Sequence, residues 1–206
     1  MSLTFMRPAL ALTLALTLAA CGGKATFPVS GTIVGLSYKG LVLSTNGMDL
    51  PVEAGRSSFS FPNQLSYGEV YNVVAKAQPE HQTCSVLSFA GPNGIVYNGP
   101  TDTAGRFGAI NIGVLCTTNT ADLGGTISGL TSAGLQLNNG STGGVAAPVA
   151  GATTFVLPKV TYGVSYSVTV LAQPANEVCR VSANPTGEMG DAAVTNVAVT
   201  CVPKPT

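Results

Sequence analysis

The sequence predicts an all-β protein: two tandem antiparallel β-sandwich modules, each closed by one disulfide, behind an N-terminal signal peptide. Three observations carry this. First, the stretch around Tyr67-Gly68 and Tyr71, followed by Gln78-Pro79 and Cys84, recurs as Tyr162-Gly163 and Tyr166, Gln173-Pro174 and Cys179. The offset is 95 residues throughout, and such an internal repeat sets the architecture first. Second, apolar residues alternate at period two between Asn-Gly and Gly-rich turns, the pattern of short strands in hairpins. Third, four cysteines fall at matched repeat positions. Charged residues make up only 9% of the 206 residues, against roughly 25% in ordinary soluble domains. Gly, Ser, Thr, Asn and Val take their place and suit pleated surfaces and tight turns.

Residues 1–20 read as a signal peptide: Arg7 closes a short n-region and an apolar run follows over 9–20. That run is short of the ~20 residues that a membrane-spanning helix needs. It ends in Leu18-Ala19-Ala20-Cys21, which resembles the lipobox of bacterial lipoproteins at all four positions. The resemblance implies a lipid-acylated Cys21, cleavage before it, and an outer-membrane anchor, because Gly22 replaces the aspartate that retains many such proteins at the inner membrane. Cysteine parity agrees, since Cys21 is the odd one of five. Residues 21–28 then form a lipidated tether.

The first module is expected over 29–118 and the second over 119–206. Val29-Ser30-Gly31-Thr32-Ile33 is matched by Leu123-Gly124-Gly125-Thr126-Ile127. Leu41 and Leu43 lead to Asn46-Gly47, as Leu135 and Leu137 lead to Asn139-Gly140. Phe59-Ser60-Phe61-Pro62 and Phe155-Val156-Leu157-Pro158 come next, then the Tyr-Gly strand. Ile112, Val114 and Cys116 close one copy, and Val197, Val199 and Cys201 the other. About seven strands per module result, with turns every 8 to 12 residues, the spacing of a sandwich. Polar residues 117–122 read as the linker. Both tyrosines of each pair are expected on one face, mostly buried, with hydroxyls at the rim.

Phe59, Phe61, Leu65, Gly68, Tyr71 and Val73 form a Phe-x-Phe…Leu…Gly-x-x-Tyr-x-Val series. It resembles the centre of prealbumin-like and related immunoglobulin-like modules of bacterial surface proteins. The repeat with its paired cysteines looks like tandem modules of exported lipoproteins. Without tryptophan, the antibody-type Cys…Trp…Cys pattern is missing.

Export favours disulfides, and the repeat selects Cys84–Cys116 and Cys179–Cys201 from the three pairings that four cysteines allow. Neither pair has the spacing of a zinc site. His81, the single histidine, sits in the loop before Cys84 where the second copy has Asn176, and it reads as a solvated loop residue. No Gly-x-Ser-x-Gly elbow accompanies it. The carboxylates are scattered, and Glu188 with Asp191 is too sparse for a calcium loop. The net charge is formally zero, which leaves no electrostatic footprint for nucleic acid.

No catalytic residue, metal ligand or cofactor site is therefore assigned. The expected function is a membrane-anchored structural or adhesive surface module of the cell envelope, with a protein or glycan partner. The alternative is a glycan- or peptide-binding module that uses the 91–106 loop, where the copies differ most. Its candidate ligand residues are Tyr97, Asn98, Asp102 and Arg106. Wild-type protein should partition into the detergent phase, and Cys21→Ser protein should stay in the aqueous phase. Identical partitioning would rule out the lipid anchor.

Overall fold

The computed structural model describes residues 24–90 and 96–205; Cys21 and the first five residues of the 91–106 segment lie outside them. Nine strands precede Asn119: β1 (Thr26–Val34), β2 (Leu41–Thr45), β3 (Met48–Val52), β4 (Ser58–Ser66), β5 (Val70–Asn72), β6 (Val74–Ala77), β7 (Gln82–Leu87), β8 (Thr101–Thr103) and β9 (Ile110–Thr118). Eight follow it: β10 (Thr120–Ser128), β11 (Gln136–Asn139), β12 (Val145–Ala146), β13 (Thr154–Thr161), β14 (Ser165–Ala172), β15 (Glu177–Ala183), β16 (Thr186–Glu188) and β17 (Val194–Pro203). Strands exceed the expected seven because hydrogen bonding continues past the alternating cores into short edge pieces such as β8 and β16.

Each module stacks two sheets around its own core. One sheet runs β4-β1-β9-β7 and its copy β13-β10-β17-β15. Facing them are β3-β2-β6 with the small β5-β8 pair, and β12-β11-β14-β16. Val29, Leu43, Val73, Ile112 and Val114 centre one apolar cluster, and Leu123, Leu137, Val168, Val197 and Val199 the other. The two clusters share no residue, and no ladder joins the modules among the described residues.

Among the described residues every strand ladder is antiparallel except one per module. β1 runs parallel to β9, with Val29 opposite Ile110 and Val34 opposite Leu115, and β10 runs parallel to β17. Turn signals reveal hairpins and say nothing about pairing between the first and last strand of a module, so this feature departs from the antiparallel expectation. The close approach has a residue requirement. A Cβ on Gly31 would lie 2.0 Å from the Ile112 carbonyl oxygen, and one on Gly125 would lie 1.8 Å from that of Val197. Glycine at this repeat position lets the parallel strands meet.

The boundaries also shift. Thr26–Pro28, read as tether, pair with Gln64–Ser66 and start β1. The expected linker 117–122 is strand except for Asn119.

Both disulfides are present, and each joins residues directly opposite in register on β7–β9 and β15–β17. They close 32 and 22 residues, worth about 3.5 kcal/mol each by the chain-entropy relation. The repeated glutamine supports them. Cys84 N–H donates to Gln78 Oε1 at 2.7 Å, and Gln78 Nε2 donates to Cys84 O at 3.1 Å. Gln173 does the same for Cys179, at 2.7 and 2.9 Å. The side-chain amide acts as one more rung of the ladder, so Gln-Pro recurs for architectural reasons.

Gly31→Ala should lower stability by about 1–3 kcal/mol, the usual cost of overpacking, as measured by urea unfolding. Gly108→Ala, where a Cβ meets nothing within 4 Å, should change it little.

Candidate functional site

The four candidate ligand residues have unequal access. Tyr97 is buried, with its ring centroid 4.7 Å from that of Phe89. Asn98 is tied to β9: its N–H donates to Asn111 O and its Oδ1 accepts the Asn111 N–H at 2.8 Å. Asp102 accepts from Arg106 Nη1 at 3.3 Å and from the Thr103 N–H. Arg106 is exposed and lies over the half-exposed Phe107 ring.

Matched hydrogen bonds locate the extra residues of this module. Val73 N–H donates to Pro100 O as Val168 N–H donates to Pro185 O. Gly68 N–H donates to Ala104 O as Gly163 N–H donates to Met189 O. From Pro100 onward the offset is therefore 85, and the difference of ten arises between β7 and Pro100. Asp102 and Arg106 belong to the shared hairpin, matched by Gly187 and Asp191.

The richest cluster of functional groups lies elsewhere, at the joint between modules. His81 and Tyr162 stack face to face, with centroids 3.7 Å apart and planes 8° from parallel. The Tyr38 ring meets both edge-on, at 5.3 and 5.9 Å. His81 Nδ1 lies 2.6 Å from Asp191 Oδ2; a carboxylate only accepts, so Nδ1 carries the proton. Asn119 ties the two sides together. Its N–H donates to His81 O at 2.8 Å, and its carbonyl accepts from Tyr162 N–H at 2.9 Å. Its Oδ1 accepts from Thr83 Oγ1 at 3.0 Å, and its Nδ2 donates to Asp191 Oδ1 at 3.4 Å.

His81 is thus not the solvated loop residue that the sequence implied; its side chain is 27% exposed. Its backbone is left-handed, φ 57°, a region uncommon for residues other than glycine although histidine is among those enriched there. Burial pushes the Tyr162 phenol up, with further upward pressure from Asp191, then Tyr38, Glu188 and Glu80.

An Nδ1–carboxylate contact also orients the general base of hydrolytic triads. Here Tyr162 covers a face of the ring and Tyr38 its edge. Among the described residues no Ser, Thr or Cys side chain is bonded to this histidine. The arrangement fits a contact between modules better than a nucleophile activator.

Tyrosine placement needs correction as well. Tyr71 and Tyr166 are buried as expected, but Tyr67 is 72% exposed. Gly68 turns the chain at φ 86° between β4 and β5, so strand parity does not pass from Tyr67 to Tyr71. Tyr67 packs on Phe27 at 6.4 Å, at the end of the first module away from Asn119.

One buried charge has a structural explanation. Glu177 accepts from Thr131 Oγ1 and Ser132 Oγ, and those bonds hold its carboxyl below the ordinary 4.5, the Ser132 bond contributing most. Gln82 occupies the matching position, where it accepts the Ser37 and Tyr38 N–H groups and donates to Gly35 O. Both side chains therefore pin the loop after the first strand of their module.

No family model and no curated protein sequence matches the chain. Solved structures that it resembles include two major pilins of Streptococcus pyogenes. The T-13 pilin shares 10% identity at a TM-score of 0.28, covering 88% of this chain and 98% of that one. The T3.2 pilin shares 11% at 0.29, covering 86% and 96%.

Glu177→Gln should be less stable than wild type at neutral pH, because the hydroxyls then face an amide. A folded-state pKa below the unfolded one stabilises above the unfolded value and stops doing so as pH falls through the folded one. The difference in melting temperature should accordingly shrink from pH about 7 to pH about 3. A difference independent of pH would show that the carboxylate charge is not what pins the loop.

Proposed function

We propose that this chain is a lipid-anchored structural and adhesive module of the cell envelope, in which two sandwiches are held in set geometry to present contact surfaces. The observation that carries the reading is Asn119: a single residue separates β9 from β10, and it is bonded to both modules. Flexible linkers reach their partners by being long and unbonded; this one is neither. Paired disulfides suit export, and the lipobox supplies the membrane as one partner, with a protein or glycan as the other. The anchor at Cys21 places the first module nearest the membrane and the second beyond it.

One observation favours the glycan- or peptide-binding alternative. Arg106 and the half-exposed Phe107 offer a guanidinium and an aromatic face together, beside the Asp102 carboxylate, in the segment after β8. Such groups on loops of a rigid scaffold are common binding elements.

Cell-attachment assays separate the two readings. A flexible Gly-Ser insert after Asn119 should leave the protein folded and in the envelope fraction, yet remove most of its attachment. Arg106→Ala with Phe107→Ala should leave attachment intact. Attachment unaffected by the insert removes the case for set geometry, and attachment lost in the double variant favours the alternative.

A further inference from the structure

The joint contains the one side chain in the sequence whose ordinary titration range spans neutral pH. We propose that His81 is an acid-responsive clasp: protonation of its ring tightens the docking of the second module onto the first. This inference rests on the reading of the protein as two modules in set geometry and adds a control to it.

The topology delivers the parts. Tyr38 follows β1, which runs parallel to β9, so it emerges at the end where β9 stops. His81 precedes β7, whose first residue Gln82 lies opposite Thr118 at the end of β9. On the other side, Tyr162 follows β13, with Thr161 opposite Thr120. Asp191 precedes β17, which runs parallel to β10. Four separate segments thus meet at Asn119, two from each module.

The charges around the ring have one net sign. Asp191 contacts it directly. Glu188, at the end of β16, and Glu80, next to His81, both lie close enough to act on Tyr162. Lys39, after β1, is 3.5 Å from Glu80 and offsets that charge, which leaves Asp191 and Glu188. Tyr38 and Tyr162 bring neutral phenols.

A neutral ring keeps one hydrogen bond to Asp191 and its stack on Tyr162. A protonated ring adds direct attraction to the carboxylate and a cation over the Tyr162 π face. Both additions link His81 to groups of the second module, so the charge acts between modules rather than within the first. Histidine side chains change charge between about pH 5 and 8, so the two states are compared at the ends of that interval. The second copy has Asn176 at the matching position and lacks an equivalent group at its own far end. The clasp is therefore a property of this joint and not of the repeat.

The test is 15N relaxation of the full chain in detergent micelles at about pH 5 and about pH 8, with His81→Asn and Asp191→Asn alongside. Wild type should tumble as one body at the lower pH and show separable module motions at the higher, and added salt should weaken the low-pH coupling. Both variants should lose the pH dependence while the dispersed spectra of the two modules persist. Modules coupled equally at both values would overturn the clasp and leave the set geometry standing. Modules uncoupled at both would overturn the two together. Unchanged pH dependence in His81→Asn would also overturn it.

Discussion

The parallel pairing of each module's first and last strands is the constraint from which the rest follows. A nine-residue strand spans about 30 Å, so β1 and β9, side by side and in the same direction, deliver the chain to the far end of the module. The chain starts β1 at one pole and leaves through Asn119 at the other. An antiparallel closure would have returned the exit to the entrance and placed the second module beside the start of β1. The pairing depends on Gly31 and Gly125, whose missing side chains admit the carbonyls of Ile112 and Val197. It also brings Cys116 and Cys201 into the middle of their sheets, where β7 and β15 add the opposing cysteines.

The repeat makes the joint interpretable. Tyr162 and Asp191 of the second module correspond to Tyr67 and Arg106 of the first, through offsets of 95 and 85. The same two positions therefore occur at the entrance of each module. In the second they are covered by His81 and bonded through Asn119; in the first, among the described residues, Tyr67 meets Phe27 and is otherwise exposed, and Arg106 pairs with Asp102. One position carries a carboxylate where it meets a histidine and a guanidinium where it meets the Asp102 carboxylate. That contrast is what a contact tuned to its neighbour would produce, and a drifting surface position has no reason to match its partner's charge.

Much of the fold was legible because it was written twice. Matched cysteines fix the disulfides, Phe59 and Phe61 with Phe155 and Leu157 mark core faces, and Gly with Asn marks the turns. The parallel ladder was not legible, since its partners stand 81 residues apart in the first module and 71 or 72 in the second and no local turn couples them; the shared Gly31 and Gly125 were the available trace. The joint was hidden for the opposite reason. His81, Tyr38 and Asp191 have no like residue at the matching positions, so comparing the copies discards them as variable loop residues. Their difference from the second copy was the signal, and only the pole-to-pole topology shows that all three fall at one end. Within the 91–106 segment, Tyr97 looked available because loop residues usually are, whereas its ring is packed on Phe89.

Magnitudes separate what is fixed from what is adjustable. Each disulfide contributes about 3.5 kcal/mol to a domain whose total is roughly 5–15 kcal/mol, so the modules are the stable units. A partly exposed ion pair is worth about 0.2–1 kcal/mol, and an aromatic contact about 0.5–1.5 kcal/mol. The clasp thus lies near the scale where one charge matters, since a change of about 1–2 kcal/mol shifts a two-state population by roughly 5–30-fold. Asn119 limits how far the modules can separate, because one residue allows little reach. The hydrogen bonds at Asn119 and the stack on His81 then decide how the modules are distributed within that range. Stability resides in the cores and cross-links, and the clasp places adjustability at the contact between the modules.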